Sequence, residues 1–145
     1  MKNFLDLLDI NPIIEIKLTL LPIVDNGNPL IIVKHNTNIL YNNELNNSII
    51  IACNNNLMSP INLQIELYNK QYSTEKDTAV IVESLCIDNI EFIPNYTHLI
   101  NYTNDHTHQD PTNYLGFNGI WELDIPVPFY QWLHKVQGQG WLITK

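Results

Sequence analysis

The segment IIEIKLTL, Ile13 to Leu20, places Ile14, Ile16, Leu18 and Leu20 at one parity and Glu15, Lys17 and Thr19 at the other. Successive side chains of a strand point to opposite faces, so this alternation predicts a strand with one face buried. Working outward, the same period returns in INLQIELY (61–68), where Asn62, Gln64 and Glu66 face out. It returns again in NGIWELDIPVPFY (118–130), where Trp121, Leu123 and Ile125 oppose Glu122 and Asp124. NPLIIVKH (28–35) overlaps the turn signal Asp25-Asn26-Gly27-Asn28-Pro29, and SIIIAC (48–53) lies between Asn-rich stretches. Asn42-Asn43, Asn46-Asn47 and Asn54-Asn55-Asn56 read as turns. TAVIVESLCIDNIEFIP (78–94) is apolar for most of its length, with Asp88-Asn89 as a tight reversal or bulge.

About seven to nine short strands punctuated by turns, with almost no helix, predict an all-β fold. The expected form is an antiparallel β-sandwich of jelly-roll or Greek-key type, with an up-and-down barrel as the alternative. One short C-terminal helix is expected in PFYQWLHKV (128–136), followed by a last strand at WLIT (141–144). The N-terminal NFLDLLDI reads as a short amphipathic helix. At 145 residues the chain fits one domain, 1–145, because a single core is what that length can bury. The expected core contains Ile14, Ile16, Leu18, Ile50, Leu63, Ile65, Val80, Val82, Trp121 and Leu123.

Composition narrows the function. The chain carries seven Lys, no Arg and fifteen acidic residues, a net charge of −8. Phosphate recognition relies on clustered cations and the bidentate guanidinium, so nucleic acid is excluded as a partner. No apolar run reaches the ~18 residues that span a bilayer, so no membrane partner is expected. Asp6 and Asp9 interrupt the leucines near the start, so no secretion signal is read there. Without secretion, Cys53 and Cys86 are expected reduced and unpaired, and the sequons at Asn46, Asn95 and Asn101 carry no glycan. Abundant Asn and Ile without Arg is the mark of an AT-biased coding sequence. Neither a G-x-S-x-G nor an H-E-x-x-H motif nor a phosphate-binding glycine loop occurs, so the chain is not expected to be an enzyme.

NDHTHQDPTN (104–113) concentrates His106, His108, Asp105 and Asp110. Asn, Asp, Thr and Pro are loop formers, and the stretch predicts an exposed connection where a sandwich would place a binding surface. Two histidines without a third nitrogen or sulfur ligand do not make a structural zinc site, so no metal or other cofactor is expected. If an ion does bind, oxygen chemistry favours calcium on Asn104, Asp105 and Asp110. Tyr114 follows the stretch. Trp121, Phe129, Tyr130, Trp132 and Trp141 crowd the C-terminal end. Phe129 and Trp132 read as pins for the helical turn, whereas Tyr130 and Trp141 are candidates for stacking on a sugar or anchoring a partner.

LGFNGIWELDIPVPFYQWLHKVQGQGWLIT (115–144) resembles the C-terminal part of small β-sandwich proteins of AT-rich tailed bacteriophages. KDTAVIVESLCIDNIEF (76–92) is similar to calcium-dependent carbohydrate-binding modules, in which a D-T-x-V strand leads to an I-D-G-I turn. Here Asn89 stands at the glycine position. The resemblance implies a sandwich that decorates a virion or binds sugar. The expectation is a non-enzymatic virion accessory protein, a capsid decoration or tail-associated subunit assembled in the host cytoplasm. It would act through other virion proteins or self-association. The alternative is a calcium-dependent carbohydrate-binding module. The residues expected to touch ligand or partner are Asp105, His106, His108, Asp110, Tyr114, Tyr130 and Trp141.

Overall fold

A computed structural model describes residues 13–25, 27–68, 70, 77–93, 100–103, 108–109 and 112–137. In chain order the strands are β1 (Ile13–Val24), β2 (Leu30–His35), β3 (Asn38–Glu44), β4 (Ile49–Asn56), β5 (Ile61–Tyr68) and β6 (Thr78–Ile87). There follow β7 (Ile90–Ile93), β8 (Asn101–Thr103), β9 (His108–Gln109), β10 (Tyr114–Leu115) and β11 (Gly119–Ile125), and then helix α1 (Phe129–Gln137). One sheet runs β10-β6-β1-β4 with β7 also beside β6, and the other runs β3-β2-β5-β11-β8-β9. Every strand pair is antiparallel. The chain is an antiparallel β-sandwich with one short C-terminal helix, and consecutive strands that cross between sheets give it Greek-key character.

Alternation sets the faces. In β1, Ile14, Ile16, Leu18 and Leu20 are buried, and β5 buries Ile61, Leu63, Ile65 and Leu67 against them. Trp121, Tyr102, Phe92 and Phe129 are the largest fully buried side chains of one continuous core. β6 carries the long apolar run with its phase intact because Glu83 bulges between the Thr19–Ser84 and Leu20–Val82 pairs. The bulge lets Val82 and Leu85, three apart, both point inward.

Three expectations need correction. Ile50 is 66 % exposed rather than core, because β4 turns Ile49, Ile51, Cys53 and Asn55 inward. Three consecutive isoleucines carry no alternation from which the phase could be read. Asn42 and Asn43 lie in β3, and Asn54, Asn55 and Asn56 in β4; these are edge strands, where polar side chains discourage pairing with other chains. The 104–113 stretch is not one loop, since His108 and Gln109 pair with Thr103 and Tyr102 as β9. The expected N-terminal helix and the WLIT strand lie outside the described residues.

Two hairpins close on two-residue turns with positive φ, Asn36-Thr37 (49° and 74°) and Asp88-Asn89 (51° and 65°). This is the conformation whose twist suits paired strands. α1 begins after Pro126 and Pro128, buries Phe129 and Leu133 one turn apart, and sets Trp132 against Phe92 with ring centroids 5.3 Å apart. Phe129 and Trp132 do pin the helix to the sandwich.

Candidate functional site

Strand directions divide the sandwich into two ends. At one end lie His35, Asn55, Pro60, the β6–β7 turn and α1. At the other, β1 and β5 finish at Val24 and Tyr68, β2, β6 and β11 begin at Leu30, Thr78 and Gly119, and β8 finishes at Thr103. This second end, the loop end, gathers the connections from several strands, as binding surfaces of sandwiches do.

Lys70 is its centre. It leaves β5 and its side chain is only 5 % exposed. Its Nζ donates to Asp77 Oδ1 at 2.8 Å and to the Gly116 carbonyl at 2.5 Å, and its backbone N–H donates to Asn118 Oδ1 at 2.9 Å. Asp77 Oδ1 also accepts the Thr78 backbone N–H, and its Oδ2 accepts the Tyr114 hydroxyl. Thr78 Oγ1 reaches the Gly27 carbonyl at 3.3 Å. The Lys70 and Tyr114 hydrogen bonds hold the Asp77 carboxyl below the usual aspartate range. Burial and the bond to Asp77, with a further push from the Asp25 charge, raise the Tyr114 hydroxyl to about 12.

Tyr114 is 38 % exposed, yet its ring has little freedom. β10 pairs it with Ile81, its hydroxyl is tied to Asp77, and a Cβ on Gly116 would lie 2.9 Å from its Cε1. One edge of the ring therefore packs close to the Gly116 backbone, and the ring stays partly exposed. Close by, Tyr102 stacks on Phe117 with centroids 4.1 Å apart and donates to its carbonyl, bracing the turn before β11.

Tyr130 is 42 % exposed and sits elsewhere. Its hydroxyl donates to Asp88, which raises its pKa, and it lines a depression of about 440 Å³ with Ile90, Gln131, Leu133 and His134. Tyr114 pairs near the start of β6 and Asp88 follows its end. At ~3.3 Å per residue the two tyrosines lie roughly 20 Å apart, so they do not form one platform. His108 is placed by its backbone at the edge of the second sheet, beside Thr103 at the loop end. Asn104, Asp105, His106, Asp110 and Trp141 lie outside the described residues.

Lys70, Asp77 and Asp25 escape a reading by motif. Asp77 opens the D-T-x-V stretch and follows Lys70 within the β5–β6 connection, but no motif marks the pair, and Tyr114 and Asp25 reach it only through strand order.

Comparison of the sequence with protein-family models and with curated proteins finds no match. Among solved structures, the chain is similar to a selenomethionine form of vCBM60, from work linking two families of calcium-dependent carbohydrate-binding modules by circular permutation. The TM-score is 0.51 at 11% identity, over 77% of this chain and 91% of that one. It is also similar to vCBM60 in complex with galactobiose, with a TM-score of 0.50 at 10% identity, over 76% and 97% of the two chains.

These likenesses bear out the sandwich and overturn the virion accessory role, because the structures that share the architecture are carbohydrate-binding modules. Among the described residues, exposed large apolar side chains such as Ile13, Ile39, Ile50 and Ile120 are divided between the two sheets, on β1, β3, β4 and β11.

The likeness raises calcium, and the oxygens present test it. Among the described residues no three His, Cys, Asp or Glu side chains come together as a metal cluster. Both Asp77 oxygens are engaged, one of them by an ammonium. The described residues therefore do not suit a calcium ion, and Asn104, Asp105 and Asp110, the ligands expected for one, lie outside them.

Proposed function

We propose that the chain is a non-catalytic carbohydrate-binding module that takes a neutral glycan at the loop end. One observation carries the reading: the half-exposed Tyr114 ring is pinned against Gly116 and through its hydroxyl to Asp77. A sugar ring has an apolar C–H face and a rim of hydroxyls. It is matched by an aromatic face held beside polar groups. Asp25 and the second acceptor position of Asp77 Oδ2, whose other accepts the Tyr114 hydroxyl, supply that polar rim. Because the ring is already fixed, stacking on it costs little further ordering. A net charge of −8 disfavours uronate-rich or sulfated chains through simple repulsion.

The test is calorimetric titration with soluble neutral glycans, galactans first, for the parent and for Tyr114→Ala. The substitution should weaken binding about tenfold, the equivalent of ~1.4 kcal/mol, whereas Tyr130→Ala should leave it unchanged. Binding that survives Tyr114→Ala and is lost in Tyr130→Ala would move the site to the depression beside α1. No binding to any neutral glycan would end the reading.

A further inference from the structure

We propose that the Lys70 ammonium is the resident cation of the cluster it forms with Asp77 and Gly116, standing among their oxygens where a divalent ion would otherwise organise them, so that this cluster is held without metal. The clause on ligand binding below rests on the carbohydrate reading; the clause on stability does not.

A lysine side chain this deeply buried persists only when its charge is matched, since the desolvation of an ammonium is otherwise uncompensated. The match is specific. One carboxylate oxygen and one main-chain carbonyl accept from Nζ, and carboxylate and carbonyl oxygens are also the donors a hard cation such as calcium selects. A calcium ion placed on Asp77 Oδ1 would have to expel the ammonium or sit beside it against like-charge repulsion.

Lys70 is also held at its other end, where its backbone N–H meets Asn118. One residue therefore grips the β10–β11 turn twice, at Gly116 and at Asn118, and binds Asp77, the residue just before β6. Asp77 passes the constraint on to Tyr114 through its second oxygen. Lys70 is thus a positioning residue for the stacking ring, acting through Asp77, and the ring's orientation depends on a covalently attached cation.

The experiment uses the whole chain. Thermal unfolding of the parent should be the same in excess EDTA and in excess calcium, and metal analysis of the purified protein should find no stoichiometric divalent ion. A chelator-dependent fall in Tm, or one bound equivalent of metal, would overturn the proposal. Lys70→Met should lower Tm and move the Asp77 carboxyl, followed by carbon-detected NMR titration, up toward the ordinary aspartate value. An Asp77 titration unmoved by the substitution would equally overturn it. If Lys70→Met does not fold, the parent measurements still decide. Glycan affinity of the parent should also be unchanged by EDTA. Binding that appears only with calcium would sink the metal-free site while sparing the carbohydrate reading. Absence of glycan binding would sink the latter and leave the two stability arms to judge Lys70.

Discussion

His35 Nε2 lies 2.7 Å from Asn55 Oδ1, and the bond joins β2 of one sheet to β4 of the other. Both side chains are buried, at 7 % and 5 % exposure. Asn55 Nδ2 donates to the Asn56 and Ser59 carbonyls while Oδ1 also accepts from Asn36 Nδ2, so the amide orientation is settled and His35 must be the donor through Nε2. Asn36 extends the network by exchanging hydrogen bonds with the Asn62 backbone. Asn55→Leu leaves the His35 donor without its acceptor and removes a donor from the Asn56 and Ser59 carbonyls, and should cost about 1–3 kcal/mol. Urea unfolding should show a lower midpoint at unchanged slope. An unchanged midpoint would mean that the two sheets do not depend on this bond.

Thr37 is a β-branched residue at φ 74° in the β2–β3 turn. The left-handed region costs such residues roughly 1–2 kcal/mol, and glycine escapes that penalty. Thr37→Gly should therefore raise stability by about 1 kcal/mol, part of the gain being offset by greater chain entropy in the unfolded state. Asn89→Gly should gain less, because asparagine tolerates the conformation better. Parallel melts of the two variants check the order.

Stability at the loop end should have an acid limb and an alkaline limb. Asp77 has a folded pKa below its unfolded value, so its contribution is present above about pH 4 and is lost as pH falls through the folded value. The Tyr114 hydroxyl has a folded pKa raised to about 12, so its contribution is complete below about pH 10 and is lost on the way to 12. Both groups are partly exposed, and solvent screening keeps the effects small. Asp77→Asn should flatten both limbs together when denaturation is followed against pH, whereas Tyr130→Phe should alter only the alkaline one.

Cys53 and Cys86 are both free. They flank β1 on opposite sides, Cys53 opposite the buried Ile16 and Cys86 opposite the exposed Lys17, and so face opposite ways. Two strand spacings separate them by roughly 9–10 Å, beyond the ~7 Å that a disulfide spans. Burial pushes the Cys53 thiol up to about 11. Iodoacetamide at neutral pH should therefore leave Cys53 unmodified in the native protein, and peptide mapping should find no bridge under non-reducing conditions. Rapid native alkylation of Cys53 would contradict its placement on the inner face.

The strands were legible because their side chains alternate. Period two in β1, β5 and β11 names the inward residues directly, and Ile14, Ile16, Leu18, Leu63, Ile65, Trp121 and Leu123 are all buried. The Asp88-Asn89 turn and the helix after Pro128 were legible for the same reason, since backbone preference acts between chain neighbours. What failed locally was phase and pairing. Ile50 lay in a run with no period, and β3 hid behind asparagines that read as turns yet serve as an edge.

Sequence by itself determined that this chain is built of antiparallel strands around one core, because burying alternate apolar side chains is a local pattern that any partner sheet satisfies. Only the tertiary structure decided which polar residues meet. Lys70 and Asp77 share the β5–β6 connection, but Tyr114 and Asp25 are far from them in the chain, and β1, β5, β6 and β10 begin or end together and bring all four to one end. A buried ammonium needs its remaining acceptors as well as its counter-charge, and the Gly116 carbonyl and Tyr114 reach Lys70 and Asp77 only through strand order, which alternation does not encode.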